Sequence, residues 1–270
     1  MKARELDSRV VVITGAAGGL GRALCTAFAA RGARIAALDV DEQSLGRLQR
    51  DLALPELLAV RCDLTDEDQC RAALAEVVRR LGGVDVLVNN AGVSHRSLFA
   101  QTEPAVIRRV MAVNFFGAVN ATHAALAALL ERRGTVVVIS SVAGFAPLAA
   151  RSGYAASKHA LHGCFETLRA EYGKRGLDVL LVCPSFIATA IAAAHLGGDG
   201  GGVQGPRTVV GDALAPEHVA RRVVAAVEGR RRLLLVGRVA WLAWWVSRLA
   251  PRWYERSMVK RLNAEMDTRP

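Results

Sequence analysis

The sequence predicts one doubly wound α/β domain, and three observations carry the prediction. Short runs rich in Val, Ile and Leu alternate with stretches of helical periodicity. The runs are apolar throughout rather than at every second residue, as strands are when both faces of a parallel sheet are covered. Helix-length segments separate successive runs, so the connections cross over and wind helices onto both sides of the sheet. With 270 residues, 52% hydrophobic and 22% charged, the chain has material for one large core. That composition excludes a disordered, fibrous or disulfide-stapled chain.

Val10–Thr14 is the first strand; it ends in glycines and leads to a helix over 21–31. Arg34–Asp39 is the second strand, followed by a helix over Glu42–Leu52. The third strand is 57–62 and its helix 66–81. The fourth, 84–89, runs into a long helix over 103–132, and the fifth, 135–140, into a helix over 154–175. The sixth is 177–183, and 232–236 completes a seven-stranded parallel sheet with helices on both faces. Six of the nine residues 197–205 are glycine. They read as a flexible linker or, because ligands bind beyond the carboxyl ends of such strands, as part of a substrate lid over about 189–215. Residues 1–237 read as the catalytic domain and 238–270 as a C-terminal helical extension.

Charge and cysteine usage narrow the function classes. Cys25, Cys62, Cys70, Cys164 and Cys183 include no C-x-x-C pair, and read as buried thiols in a reducing compartment. His95, His123, His159, His162, His195 and His218 have no metal-ligand spacing, so no metal site is expected. Aromatic residues make up only 5%, which argues against a nucleic-acid partner. The net charge of +10 is concentrated in the tail: from Pro216 onward, 12 Lys and Arg face 5 Asp and Glu, a net of +7. The N-terminus is short and charged and lacks the apolar core of a signal peptide, and no run of 18 apolar residues occurs. The expectation is a cytoplasmic protein, with peripheral attachment at the inner membrane face open to the tail.

The turn after the first strand reads Thr14-Gly15-Ala16-Ala17-Gly18-Gly19-Leu20-Gly21. Glycines at 15, 19 and 21 permit a tight turn and close backbone approach, so that a pyrophosphate can sit on the helix N-terminus. Asp39 ends the second strand, where a carboxylate accepts from both ribose hydroxyls of NAD and repels the 2′-phosphate of NADP. It could instead cap the next helix, although Asp41 is placed for that work. Asp63 and Leu64 follow the third strand; Asp63 could accept from an adenine amino group or cap its own loop. Asn89-Asn90-Ala91-Gly92 ends the fourth strand with small residues that leave room for an adenosine.

Tyr154 and Lys158 stand four apart and share a helix face. Ser141 lies at the end of the fifth strand, and Asn114 within the long helix before it. With the glycine turn, Asp63, the Asn-Asn-Ala-Gly run, and Pro184-Ser185-x-Ile187-x-Thr189, these residues follow a known order and spacing. The sequence resembles a short-chain dehydrogenase/reductase from Val10 to Thr189, and the 154–171 helix looks most like the hydroxysteroid, retinoid and long-chain-alcohol branch. The resemblance implies a Rossmann-type fold with Asn114, Ser141, Tyr154 and Lys158 catalytic. It implies nicotinamide contacts from Pro184, Ile187 and Thr189, and ribose contacts from Lys158. It also implies that Asn114 holds a water linking Lys158 to solvent, and that long helices pair between subunits of a homodimer or homotetramer. Ser185 departs from the glycine usual after the proline, which could crowd the nicotinamide face.

Chemistry requires these types. A carbonyl receiving hydride needs a proton donor at its oxygen, and a free tyrosine, with pKa about 10, needs a nearby cation before it can serve as a base. The expected function is an NAD-dependent oxidoreductase of a bulky apolar alcohol or ketone. The alternatives are an NADPH-dependent ketone or 3-oxoacyl reductase, and a non-catalytic nucleotide sensor. In the tail, Val239, Leu242, Ala243, Val246, Leu249 and Ala250 form one aliphatic helix face, opposite Trp241, Trp244, Trp245 and Arg248. Either that face packs on the domain, or the tryptophans and arginines meet an anionic membrane.

Overall fold

The computed structural model describes residues 3–54, 56–188, 195–203 and 213–267, with side chains as far as Lys260. Strands β1 (Val10–Thr14), β2 (Arg34–Asp39), β3 (Leu58–Arg61), β4 (Val86–Asn89), β5 (Thr135–Ile139) and β6 (Asp178–Pro184) join β9 (Leu233–Val236) in one sheet. Its order is β3-β2-β1-β4-β5-β6-β9, and every neighbouring pair is parallel. The order reverses between β1 and β4, which opens a crevice at their carboxyl ends.

Alternate residues of the strands feed two separate cores. Val11 and Ile13 of β1 point to a core shared with α1 (Gly19–Ala29), α2 (Glu42–Leu52) and α7 (Pro216–Glu228). Val10 and Val12 point to the opposite core, built with α3 (Glu67–Leu81), α5 (Gly117–Glu131) and α6 (Ser152–Tyr172). This alternation is why the strands had to be apolar at every position. Asp41 caps α2 by accepting from Ser44 N at 3.1 Å, and Asp66 caps α3 through Gln69 N at 3.1 Å. Asp41 thus takes the capping work that Asp39 could have done.

The helix expected over 103–132 is not continuous. It is α4 (Pro104–Met111), a π-helical turn (Ala112–Phe116) and α5. One residue more than an α-turn holds re-aims the side chains at the join. The stretch Pro104–Glu131 has the length and apolarity of a membrane span, more than the tail has. In this fold α5 packs against α3 and α4 against α6.

Of the segment expected to form a lid, only 195–203 and 213–215 are described, and Thr189 lies outside the described residues. Strands β7 (His195–Leu196) and β8 (Gly202–Val203) make a small antiparallel hairpin. It is tied down by Leu196 N to Ser94 O at 2.9 Å, Arg96 N to Leu196 O at 2.8 Å and Glu103 N to Gly198 O at 2.8 Å. After β9, Gly237 turns the chain with φ +96°, and a Cβ there would come within 2.6 Å of Ser185 Oγ. Only glycine serves at this bend, which launches α8 (Arg238–Leu249) and α9 (Pro251–Asp267).

Candidate active site

At the end of β1 the glycines are required by contact. A Cβ on Gly15, whose φ is +61°, would lie 2.8 Å from Ala91 Cα, and one on Gly21 would collide with Gly15 O. Thr14 Oγ1 accepts from Asn90 N at 3.0 Å and Ala91 N at 3.1 Å, while Asn90 Nδ2 donates to Thr14 O and Gly15 O at 2.9 and 3.0 Å. The two turns that flank the crevice are thereby fixed to each other. Gly18 caps α1 without a side-chain acceptor, and Gly19 and Leu20 open the helix with no acidic residue in its first turn. The free N–H groups there suit a phosphate.

Asp39 Oδ2 accepts from Ala17 N at 3.0 Å, so the carboxylate stands against the glycine turn. Its other oxygen accepts from Asp41 N at 3.2 Å. Asp63 is occupied differently: Oδ1 accepts from Thr65 N at 2.9 Å and Thr65 Oγ1 at 2.8 Å, the loop-capping arrangement. Leu64 is buried beside Gly117. A crowded glycine cradle, a bare helix start and a carboxylate at the end of β2 together fit a dinucleotide.

At the reacting end, four elements deliver the groups. The π-turn buries Asn114, whose Oδ1 accepts from Val93 N at 2.7 Å and whose Nδ2 donates to Val93 O and Ser157 Oγ at 3.0 Å. Its amide holds the Val93 backbone, four residues beyond β4, to α6. Ser141 follows β5 and starts the short turn Val142–Gly144, accepting from Ala143 N at 3.2 Å. Tyr154 and Lys158 come from the first turns of α6, with Lys158 Nζ 5.6 Å from the centre of the Tyr154 ring. Pro184 and Ile187 come from the end of β6 and the loop after it.

Burial dominates the electrostatics. It pushes the Tyr154 phenol above its ordinary value, against a hydrogen bond from Ser141 and the charge of Arg151, both of which pull it down. Burial also drives Lys158 down to about 8, and its ammonium donates to Ile139 O at 2.8 Å. Lys158, still mostly protonated near neutrality, is not among the groups that pull the phenol down in the free protein.

These residues floor one cavity of about 310 Å³ that runs from Gly18 past Tyr154 to the C-terminal helices. Val239, Leu242, Ala243 and Val246 of α8 and Trp253, Tyr254 and Met258 of α9 wall its far end. His195, buried, also lines it. Ser185 lies on the rim and turns toward Gly237 rather than closing the crevice. Of the aliphatic face expected on α8, Val239, Leu242, Ala243 and Val246 line the cavity, whereas Leu249, at 78%, and Ala250 are exposed. Trp244, expected on the opposite face, stacks edge-on against Phe145 at 4.8 Å with Arg248 over it at 3.3 Å. The wall made by α9 had no signal in the sequence beyond an apolar residue every few positions.

The short chain dehydrogenase family model matches residues 9–197, well over half of the chain. The chain belongs to that family. This short-chain dehydrogenase is 39% identical to the Xenopus laevis dehydrogenase/reductase SDR family member 7B, over 91% of its own length and 79% of that protein. The Bos taurus member 7B is 37% identical over 95% and 82%. Among solved structures, a Burkholderia phymatum short chain dehydrogenase/reductase in complex with NAD superposes with a TM-score of 0.82 at 26% identity, covering 92% of this chain and 96% of that one. A Streptomyces avermitilis short-chain dehydrogenase gives 0.81 at 28%, covering 97% and 98%. This dehydrogenase is accordingly an oxidoreductase acting on CH–OH and carbonyl groups through a nicotinamide cofactor.

Proposed function

We propose that this protein is an NAD-dependent oxidoreductase of a bulky apolar alcohol or ketone, a steroid, retinoid or long-chain alcohol by class. The observation that carries the reading is the setting of Tyr154: a buried phenol beside Ser141 and Lys158, at the floor of a cavity walled mainly by aliphatic and aromatic side chains. Thr14, Gly15, Gly19, Leu20, Gly21, Asp39, Asp63, Leu64, Asn90, Ala91 and Gly92 hold the adenosine and pyrophosphate. Lys158, Pro184, Ile187 and Thr189 hold the nicotinamide half. The bound nicotinamide supplies or accepts the hydride. Tyr154 gives its proton to the substrate oxygen in reduction and takes one in oxidation, Ser141 Oγ–H donates to that oxygen and fixes its place, and Asn114 steadies the wall behind Lys158. With its pKa raised, Tyr154 is an acid in the free protein and becomes a base only when positive charge is brought over it. Residues 1–237 perform the reaction and 238–270 close the substrate end.

The choice of NAD rests on Asp39, since a carboxylate against the glycine turn leaves no welcome for a 2′-phosphate. Turnover of a panel of sterols, retinol, fatty alcohols and short diols with both cofactors tests it. The expected result is a larger kcat/KM with NAD and with the apolar members; a larger value with NADP would reverse the cofactor assignment.

Two assembly properties belong to the same reading. The α5 and α6 surfaces present a shallow groove in which Leu126, Ala127, Leu130 and Tyr172 lie among His123, Glu131 and Arg175, a mixed surface suited to pairing in a homodimer or homotetramer. Sedimentation should give a dimer or tetramer at micromolar concentration, and a monomer would refute it. The tail attaches peripherally to an anionic membrane face. Trp241, Trp245 and Trp253 are 59%, 47% and 61% exposed among Arg238, Arg248, Arg252, Arg256 and Lys260, and aromatic–cation surfaces of this kind seat at lipid interfaces. The intact protein should float with anionic vesicles at low salt and less so at high salt, while a chain ended at Gly237 should not. Failure of the intact protein to float at low salt would refute the attachment and leave the tail as a lid or interface element.

A further inference from the structure

Behind the reacting groups lies a polar cluster that the mechanism above does not use. His162 sits on α6 one turn after Lys158. Its Nε2 is 2.9 Å from Ser140 Oγ and 3.6 Å from Cys183 Sγ. Ser140 and Cys183 are buried. Ser140 is the residue immediately before Ser141, and its N–H donates to Val182 O on β6 at 2.8 Å. Cys183 immediately precedes Pro184. One imidazole nitrogen therefore touches the end of β5, which presents Ser141, and the end of β6, which presents the nicotinamide-side loop. It does so from the helix that presents Tyr154 and Lys158.

The turn over this pair leaves no slack. A Cβ on Gly144 would come within 2.6 Å of His162 Nε2 and would collide with Ser140 Oγ, so the Val142–Gly144 turn rests directly on the His162–Ser140 contact. Burial first, and then the neighbouring His159, Arg248 and Lys158, hold the ring pKa down to about 4. The imidazole is neutral through the working range. In the Nδ1–H tautomer its Nε2 lone pair accepts from the Ser140 hydroxyl. A ring that carried charge there would stand one helical turn from the Lys158 ammonium.

We infer that His162 is a positioning residue for this reaction: through Ser140 it sets where Ser141 stands relative to Tyr154. The inference rests on the reading above, in which Ser141 and Tyr154 share the substrate oxygen. Displacing a reacting group by about 1 Å costs up to about 10²-fold in rate, and loss of the imidazole nitrogen frees the Ser140–Gly144 segment to shift.

The experiment compares His162→Phe, which keeps a ring of similar size, with His162→Gln, whose amide reaches the Nε2 position, and with Ser140→Ala, which removes the same hydrogen bond from the other side. Each is measured in the full chain for kcat and KM with the best alcohol of the panel, for NADH affinity by nicotinamide fluorescence, and for thermal unfolding. The expected result is a kcat lowered about ten- to a hundredfold in His162→Phe and in Ser140→Ala. KM and NADH affinity should stay within about twofold, and most of the rate should return in His162→Gln. A kcat in His162→Phe within about twofold of the unaltered chain overturns the inference. So does a His162→Gln variant as slow as His162→Phe. If His162→Phe fails to fold, Ser140→Ala decides: an unchanged kcat there overturns it. Absence of turnover by the unaltered chain with every alcohol and ketone overturns the reaction assigned above, and this inference with it.

Discussion

Tyr154→Phe is expected to lower turnover about 10²–10⁴-fold while leaving NADH binding unchanged. The substitution removes one oxygen from a buried site and nothing else. Among the described residues, that oxygen belongs to the tyrosine that lines the cavity beside Ser141, Tyr254 lining its far end, and in the proposed mechanism it passes the proton to the substrate carbonyl. The aromatic ring remains to pack on α6 under Lys158, so fold and cofactor site are untouched. Steady-state kinetics together with a fluorescence titration separate the two effects. A variant that kept most of the rate would show that another group moves the proton, and the assigned mechanism would be wrong.

Lys158→Met is expected to do two things at once. Turnover and nucleotide affinity are both expected to fall, because in the proposed mechanism the ammonium serves the phenol and the ribose together. Stability changes in a way that depends on pH. Burial takes the folded lysine down to about 8 from its ordinary 10.5. Between those values the unfolded chain binds more protons than the folded one, so stability rises with pH across that window. Below about 8 both states are protonated and the folded one carries the full cost of a desolvated charge. Methionine has no such dependence. The unaltered protein should therefore gain on Lys158→Met by up to about 3 kcal/mol as the pH rises from about 8 to 10.5, at 1.36 kcal/mol for each unit of the shift. Denaturant unfolding of both proteins at the two ends of the window checks it. A stability difference that stayed constant would mean that Lys158 keeps its ordinary pKa in the folded chain.

Much of this was legible in the chain because its causes are local. Gly15 and Gly21 are glycines because backbone passes within reach of where a Cβ would be, and the apolar run at Val10–Thr14 is uninterrupted because its residues serve two cores alternately. Other features depend on neighbours far along the chain, and a periodicity cannot report those. The π-turn at Asn114 adds a residue to a helix whose overall period barely changes, so 103–132 reads as one helix. Trp244 looks like its exposed neighbours Trp241 and Trp245 on a helical wheel. Only Phe145, carried on the turn after Ser141, decides that it faces inward. Asp63 and Asp39 look alike as strand-end carboxylates, yet Thr65 engages one and the glycine turn the other. His162 stood out from no pattern, because what it touches, Ser140 and Cys183, arrives from two other strands.

The wall built by α8 and α9 has a consequence for how selectivity changes over time. The glycine turn, Ser141, Tyr154 and Lys158 all fall within the stretch the family shares, whereas Leu242, Val246, Trp253 and Met258 fall in the last few dozen residues, beyond it. In the proposed reading, mutations at Leu242, Val246 and Met258 reshape the chamber at a distance from Tyr154 and Lys158, whereas Trp244 and Arg248, which touch the Phe145 turn and act on His162, stay tied to the reaction centre. If the tail closes the substrate end as proposed, exchanging the segment after Gly237 for that of another member, with Trp244 and Arg248 kept, is expected to change substrate preference.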